Sequence, residues 1–326
     1  MVGAKNTSET PKPEFVFAAD LGGTHLRVAT VDRDGKIYCR QMQPTPQAEK
    51  PNEIVRALLN AFRECERSTA ERGGAISAVS VVVPGTVNVA EGVVIKAPNV
   101  PCLDGFRLVA ALESELKWPV ILENDANAAA IGEMWRGAAQ GYRTIICVTL
   151  GTGVGGGIIL DGKLWRGVDG SAGEIGHIGV DPFAGVPCMC GSRGCLEVYA
   201  SATAIVRMTR EAAPRYPNSL LHNTEELTSA KVYQAGREGD ELAIEVFRRM
   251  GVYLGIGLAS LINVLNPEIV VIGGGLANGW DLFEKHMHQQ VLERAFPIPA
   301  RRVRIVRAKC GDDAGLLGAA RLAFKD

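Results

Sequence analysis

The chain has 326 residues, enough to bury a large core and to build two domains, and 47% of them are hydrophobic. Its 35 basic residues against 36 acidic ones leave a net charge of −1, which provides no electrostatic footprint for nucleic acid or an anionic membrane. No apolar run approaches the roughly 20 residues of a membrane-spanning helix, and the polar start MVGAKNTSETPKPE lacks the apolar stretch of a secretory signal.

Residues 1–14 are expected to be a disordered leader. Residues 15–30 read as an apolar strand, the glycine turn Leu21-Gly22-Gly23-Thr24-His25 and a second strand; Asp34-Gly35 is a tight-turn signal and Lys36 opens another strand. Residues 52–72 have helical spacing, with Ile54, Leu58, Leu59, Phe62 and Cys65 on one stripe. A buried strand is expected over 76–83, ending in Pro84-Gly85, then a short helix over 106–116 and a strand over 120–122. An alanine-rich helix follows Asn124-Asp125.

The second part of the chain repeats the first. Phe17-Ala-Ala-Asp-Leu-Gly-Gly-Thr aligns with Ile146-Cys-Val-Thr-Leu-Gly-Thr-Gly, and both hairpins reach an Asp-Gly-Lys turn, at 34–36 and 161–163. Such a duplication implies two related α/β domains. It also disposes of a literal match to the dinucleotide fingerprint, with Gly151, Gly153 and Gly156 in its glycine slots and Glu174 downstream. That motif needs its turn to open a helix, whereas IILDGKLWRG after Gly157 is strand, turn and strand. A glycine turn between strands can still present backbone amides to phosphate as an anion nest. Asp20, at the end of the first strand, is suited to hold Mg²⁺ through water, and Arg27 is close by in sequence. A third glycine run, Gly273-Gly274-Gly275, follows a strand expected over 268–272 and precedes a helix from about Trp280.

These three runs resemble the phosphate and adenosine loops of the actin/hexokinase superfamily. The resemblance implies that Asp20, Gly22, Gly23 and Thr24, with Thr152 and Gly153, serve the phosphates of MgATP. It implies that Gly273, Gly274 and Gly275 pack against adenosine.

His177 followed by Cys188, Cys190 and Cys195 meets the demand of a tetrahedral Cys₃His zinc site, closed to water and therefore structural. Cys39, Cys65, Cys102, Cys147 and Cys310 stand alone, a usage that suits reduced thiols in a cytoplasm. Gly-His, a spacer and Cys-x-Cys-Gly-x-x-Gly-Cys-x-Glu is similar to the hallmark of the ROK family, which contains sugar kinases and transcriptional repressors; the likeness runs from Asp20 to Ala320.

That resemblance implies a two-domain actin/hexokinase-like α/β fold with a duplicated mixed sheet and with ATP and sugar in the interdomain cleft. The small domain would comprise 15–124 plus 313–326, and the large one 125–312 with its zinc loop at 177–195. It further implies that Gly85, Asn99, Asn124, Asp125, Glu174, His177 and Glu197 meet the sugar, with His177 also on zinc. Asp125 would be the general base; a carboxylate at a helix N-terminus stays ionised, and on local grounds Asn124 or Asp125 also reads as an N-cap.

The expected activity is transfer of phosphate from ATP to the 6-hydroxyl of a hexose, glucose first, in cytoplasmic glycolysis by a homodimer. Fructose, mannose, N-acetylmannosamine and N-acetylglucosamine stand as alternative substrates. The glycine turn at 273–275 favours a nucleotide over polyphosphate as donor. A sugar-responsive repressor is the rival of another class, against which stand the short leader and the balanced charge.

Overall fold

The structure, a computed structural model, describes residues 14–71, 74–222, 224 and 226–325. Almost all of the leader expected at 1–14 lies outside the described residues; Glu14 already belongs to the first strand. The chain divides into two compact units, one reaching to Asp125 and returning at Ala319, the other running Ala126–Gly318.

In the first unit, β1 (Glu14–Leu21), β2 (His25–Asp32) and β3 (Ile37–Pro44) are antiparallel neighbours, and β4 (Ala75–Val83) and β7 (Val120–Asn124) add in parallel. The sheet order is β3-β2-β1-β4-β7, with a small hairpin of β5 (Thr86–Asn88) and β6 (Val93–Lys96) beside it. Helix α1 (Pro51–Ala70) has proline in its first turn, where a missing N–H costs nothing, and buries the stripe Ile54, Leu58, Leu59, Phe62 and Cys65. Phe62 stacks on Phe17 of β1 at 5.2 Å between ring centroids. Helix α2 is shorter than its apolar pattern predicts, Leu108–Glu113: Pro101–Leu103 form a 3₁₀ turn, 104–105 a further turn, and Phe106 bridges to Val94 instead of entering the helix.

The second unit opens with α3 (Asp125–Arg136), whose first residue closes the first unit. Its sheet has the order β10-β9-β8-β11-β12, from β8 (Ile145–Leu150), β9 (Val154–Leu160), β10 (Lys163–Leu164), β11 (Ile269–Gly273) and β12 (Arg304–Arg307). Every neighbour relation of the first sheet recurs: two antiparallel steps, then two parallel ones. The two copies differ in the length of each turn. Leu21 pairs with Leu26 across four residues, whereas Leu150 pairs with Val154 across three. Likewise Leu160 pairs with Lys163 across Asp161-Gly162, both at positive φ, whereas Val31 pairs with Ile37 across five residues.

The glycines of VGGG in β9 are packing glycines. A Cβ on Gly155 would stand 3.0 Å from that of Ala126, one on Gly157 2.6 Å from that of Ala130, and one on Gly156 2.3 Å from Ile175 Cδ1. Helix α3 therefore lies directly on the strand, with Ile175 on the other face.

Helices α4 (Glu197–Ala200), α5 (Ala202–Ala212), α6 (Ser229–Arg237), α7 (Glu241–Leu265), α8 (Trp280–Arg294) and α9 (Pro297–Arg302) complete the core. In α7, Gly251 and Gly255 let α8 approach so closely that a Cβ on either would meet the carbonyls of Phe283 and Met287 at 2.5 Å. Asn266, left-handed at φ 47°, caps α7 and leads into Pro267. No helix among the described residues is long and apolar enough to cross a membrane.

The last helix, α10 (Ala314–Ala323), straddles the unit boundary, which the sequence placed at Asp313. Its first turns stay on α3: a Cβ on Gly132 would meet the Ala314 carbonyl at 2.2 Å, and one on Gly318 the Ala128 carbonyl at 1.7 Å. Its end belongs to the first unit, where Arg33 lies over the Phe324 ring and donates to the Lys325 carbonyl at 3.2 Å.

Candidate active site

Parallel β1, β4 and β7 end at one edge of the first sheet, the carboxyl edge where open α/β sheets bind ligands. The sequence-predicted residues of this unit follow those ends. Asp20 sits directly across the hairpin from Arg27, and the guanidinium Nη1 meets Asp20 Oδ2 at 3.2 Å. Arg27 is thus a partner of Asp20, which hairpin register would have shown. Gly22, Gly23 and Thr24 form the turn; a Cβ on Gly23 would stand 2.7 Å from that of Asn99, so the two predicted residues touch.

Gly85, at φ 104°, has no room for a side chain against the Lys96 carbonyl. Its own carbonyl accepts from Asn124 Nδ2 at 2.9 Å, and the same amide nitrogen donates to Asp125 Oδ1 at 3.2 Å. Asn124 ends β7 and Asp125 begins α3, so the carboxylate stands at a helix N-terminus, which favours its ionised form.

In the second unit β8, β11 and β12 end at the corresponding edge. Thr152 and Gly153 lie in the β8–β9 turn. The third glycine run needs one correction: Gly273 is the last residue of β11, paired with Thr149, and the turn begins at Gly274. Gly274, at φ 83°, lies so near β8 that a Cβ would meet the Leu150 carbonyl at 2.4 Å, whereas Gly275 faces open space.

Glu174, His177 and Glu197 converge on the start of β9. The Val154 N–H donates to Glu197 Oε2 at 2.9 Å, and Gly176 packs so closely that a Cβ would lie 2.3 Å from the Val154 carbonyl. His177 points Nε2 at Glu174 Oε2, 3.8 Å away, and Nδ1 at the sulfur of Cys188, 3.7 Å away. The ring therefore serves a sulfur cluster on one side and a carboxylate on the other.

The ligand atoms of His177, Cys188, Cys190 and Cys195 all lie within 4.8 Å of one another, and Cys190 and Cys195 are 3.7 Å apart, sulfur to sulfur. A tetrahedron with metal–sulfur bonds of about 2.3 Å has edges of about 3.8 Å, so the four residues fit one metal ion. Gly191 and Gly194, both at positive φ, turn the loop that brings the cysteines round. Burial and the neighbouring sulfurs push Cys195 up to about 12, while a backbone hydrogen bond from Ser192 holds Cys190 below the usual thiol range. All eight cysteines are free thiols. A cation would supply the charge that lets three crowded sulfurs ionise together.

Residues that sequence reasoning missed hold this frame. Glu133 of α3 is fully buried and accepts from the backbone N–H groups of Ala138, Lys309 and Cys310. Thr45 and Thr203 donate to carbonyls of the two hairpin turns, those of Gly22 and Thr152. No local motif marks any of the three.

Duplicated five-stranded sheets of this order, with glycine turns at their carboxyl edges and a Cys₃His loop, define the class. The ROK family profile matches residues 16–326, and the chain belongs to the ROK family. It has the actin/hexokinase-like α/β fold of the family's kinases. It is 38% identical over 310 residues to a glucokinase of Halalkalibacterium halodurans, covering 93% of each chain. Among solved structures it resembles a ROK family glucokinase from Streptomyces griseus in complex with glucose and AMPPNP, at TM-score 0.80 and 35% identity, covering 95% of this chain and 99% of that one. It also resembles a ROK family transcriptional regulator, a homolog of the E. coli MLC protein, at TM-score 0.87 and 28% identity, covering 94% of this chain and 77% of that one.

Proposed function

We propose that the chain is an ATP-dependent hexose kinase that phosphorylates the 6-hydroxyl of glucose. The observation that carries this reading is the hydrogen-bond chain from Gly85 through Asn124 to Asp125, which fixes a carboxylate at the carboxyl edge of the sheet. In the proposed reaction the sugar hydroxyl oxygen attacks the γ-phosphorus of MgATP, ADP leaves, and Asp125 takes the hydroxyl proton. Phosphoryl transfer has a loose transition state, so positioning and charge neutralisation matter more than a strong base.

Gly85, Asn99, Asn124, Glu174, His177 and Glu197 are the proposed sugar contacts. Their amide, imidazole and carboxylate groups match hydroxyls that both donate and accept. Gly22, Gly23, Thr24, Thr152 and Gly153 are proposed for the phosphates, Asp20 for Mg²⁺, and the turn at 273–275 for adenosine. Zinc is the metal that Cys₃His chemistry suits, and its role would be to hold the loop that carries His177. Free cysteines and the use of ATP support a cytoplasmic enzyme of glycolysis. A homodimer is the proposed assembly, which light scattering tests.

Steady-state kinetics with MgATP across hexoses and N-acetylhexosamines tests the reading. Glucose should have the highest kcat/KM, with glucose 6-phosphate as product; an N-acetylhexosamine in first place, or no transfer at all, would refute it. Asp125→Asn should lower kcat by about 10² or more with Tm little changed.

A further inference from the structure

We propose that Thr45 and Thr203 are positioning residues for the nucleotide's phosphates, each turning the carbonyls of one glycine loop inward so that its amides face outward. The inference rests on the kinase reading above.

Thr45 directly follows β3 and is buried. Its Oγ1 donates to the Gly22 carbonyl at 2.6 Å, and its N–H donates to the Thr24 carbonyl at 2.9 Å. In the second unit Thr203, in the first turn of α5, donates from Oγ1 to the Thr152 carbonyl at 2.8 Å. The Ala202 N–H, one of the donors that a helix start leaves without an intrahelical partner, reaches the Gly151 carbonyl at 2.8 Å. Each loop thus receives one threonine hydroxyl and one backbone N–H, both on its carbonyl oxygens.

The two loops are copies of one hairpin, but the clamps are not copies. One comes from a strand end and the other from a helix start, elements that occupy different places in the two units. The same operation assembled from unrelated parts points to a shared demand on the loops rather than to inherited packing.

Peptide geometry supplies that demand. In a planar trans peptide the carbonyl and the following N–H point in opposite directions. Holding the Gly22 and Thr24 carbonyls inward sends the N–H groups of Gly23 and His25 the other way; holding those of Gly151 and Thr152 does the same for Thr152 and Gly153. Amides turned to one side make an anion-binding concavity, on successive residues in the second loop and on alternate ones in the first. Released carbonyls could rotate and present oxygen to phosphate instead.

The test compares Thr45→Val and Thr203→Val with Thr45→Ser and Thr203→Ser, using steady-state kinetics and calorimetric binding of a non-hydrolysable ATP analogue. Valine keeps the shape and removes the donor; serine keeps the donor. Thr45→Val should raise both the KM for MgATP and the analogue Kd about threefold to tenfold. Thr203→Val should do so by less, since its exposed site lets water replace the hydroxyl. Sugar KM should stay within about twofold, and the serine variants should match the parent on every readout. Folded valine variants with unchanged nucleotide binding would overturn the inference. So would a parallel rise in both substrates' KM that serine does not prevent. Should Thr45→Val fail to fold, the exposed Thr203 pair decides alone. If the parent neither turns over ATP with any hexose nor binds the analogue, the kinase reading falls first and this inference with it.

Discussion

The carboxylate of Glu197 accepts the N–H of Val154 at 2.9 Å, so the residue that closes the Cys₃His motif also holds the residue after the second glycine turn. A Cβ on Gly153 would lie 2.3 Å from the same carboxylate oxygen. Because that oxygen ends a flexible side chain, Gly153→Ala should displace Glu197 and spare the fold. Sugar KM is expected to rise about tenfold, the worth of one charge-assisted hydrogen bond, with Tm lowered modestly because the Val154 N–H loses its acceptor. Gly151→Ala, whose Cβ would meet nothing within 4 Å, should leave stability within about 0.5 kcal/mol. Thermal melts and steady-state kinetics on the two variants check the pair.

Zinc analysis of the purified chain should find one ion per molecule. Cys190 is exposed, so Cys190→Ser removes a ligand without opening a gap in the core. The variant is expected to lose most of its zinc, melt earlier and bind sugar less well than nucleotide, because the loop that loses its anchor carries His177. Elemental analysis and separate titrations of the two substrates would show this.

Glu133 bridges α3 to the segment after β12. Its carboxylate accepts from Ala138 N at 2.7 Å, Lys309 N at 2.9 Å and Cys310 N at 2.7 Å, inside the second unit. Glu133→Ala would leave these donors without their acceptor. The cost is expected to be about 3 kcal/mol or more, seen as a lower urea midpoint. Glu133→Gln, which keeps one acceptor oxygen, should lose less.

Acid should weaken a second tie. Backbone N–H groups of Arg143 and Thr144 donate to Glu268 Oε2 at 2.7 and 2.8 Å and hold its carboxyl below the usual glutamate range. A depressed folded value stabilises the fold above the ordinary pKa of about 4.3, and the stabilisation is lost as pH falls through the folded value. Glu268→Gln should therefore melt earlier than the parent at neutral pH, and the gap should close on acidification. Melting curves from pH 7 down to about pH 3 measure it.

Much of the frame was legible before any coordinates. The alignment of Phe17–Thr24 with Ile146–Gly153 anticipated two related α/β units that each open with a glycine-turned hairpin, since a hairpin's turn chemistry is local. The glycine-rich VTLGTGVGGG was harder to apportion. Gly153 closes a turn, but Gly155, Gly156 and Gly157 are there so that α3 and Ile175 can lie on β9. A glycine needed for a turn and one needed for close packing look alike in sequence. Helix α7 passed unremarked for a related reason: it is buried on several sides, and its Gly251 and Gly255 have meaning only against α8.

By itself the sequence determined the duplicated hairpins, the glycine turns, the Cys₃His set and Asp125 at the start of a helix. Each of these is a short-range pattern in which residue type and spacing impose the geometry. Only the tertiary structure decided that Asn124 joins Gly85 to Asp125 and that Glu197 reaches Val154. It alone decided that Thr45 and Thr203 hold the loop carbonyls and that α10 divides at Gly318 rather than before it. These are contacts between side chains and backbone set by sheet register and helix packing, and no spacing along the chain encodes them.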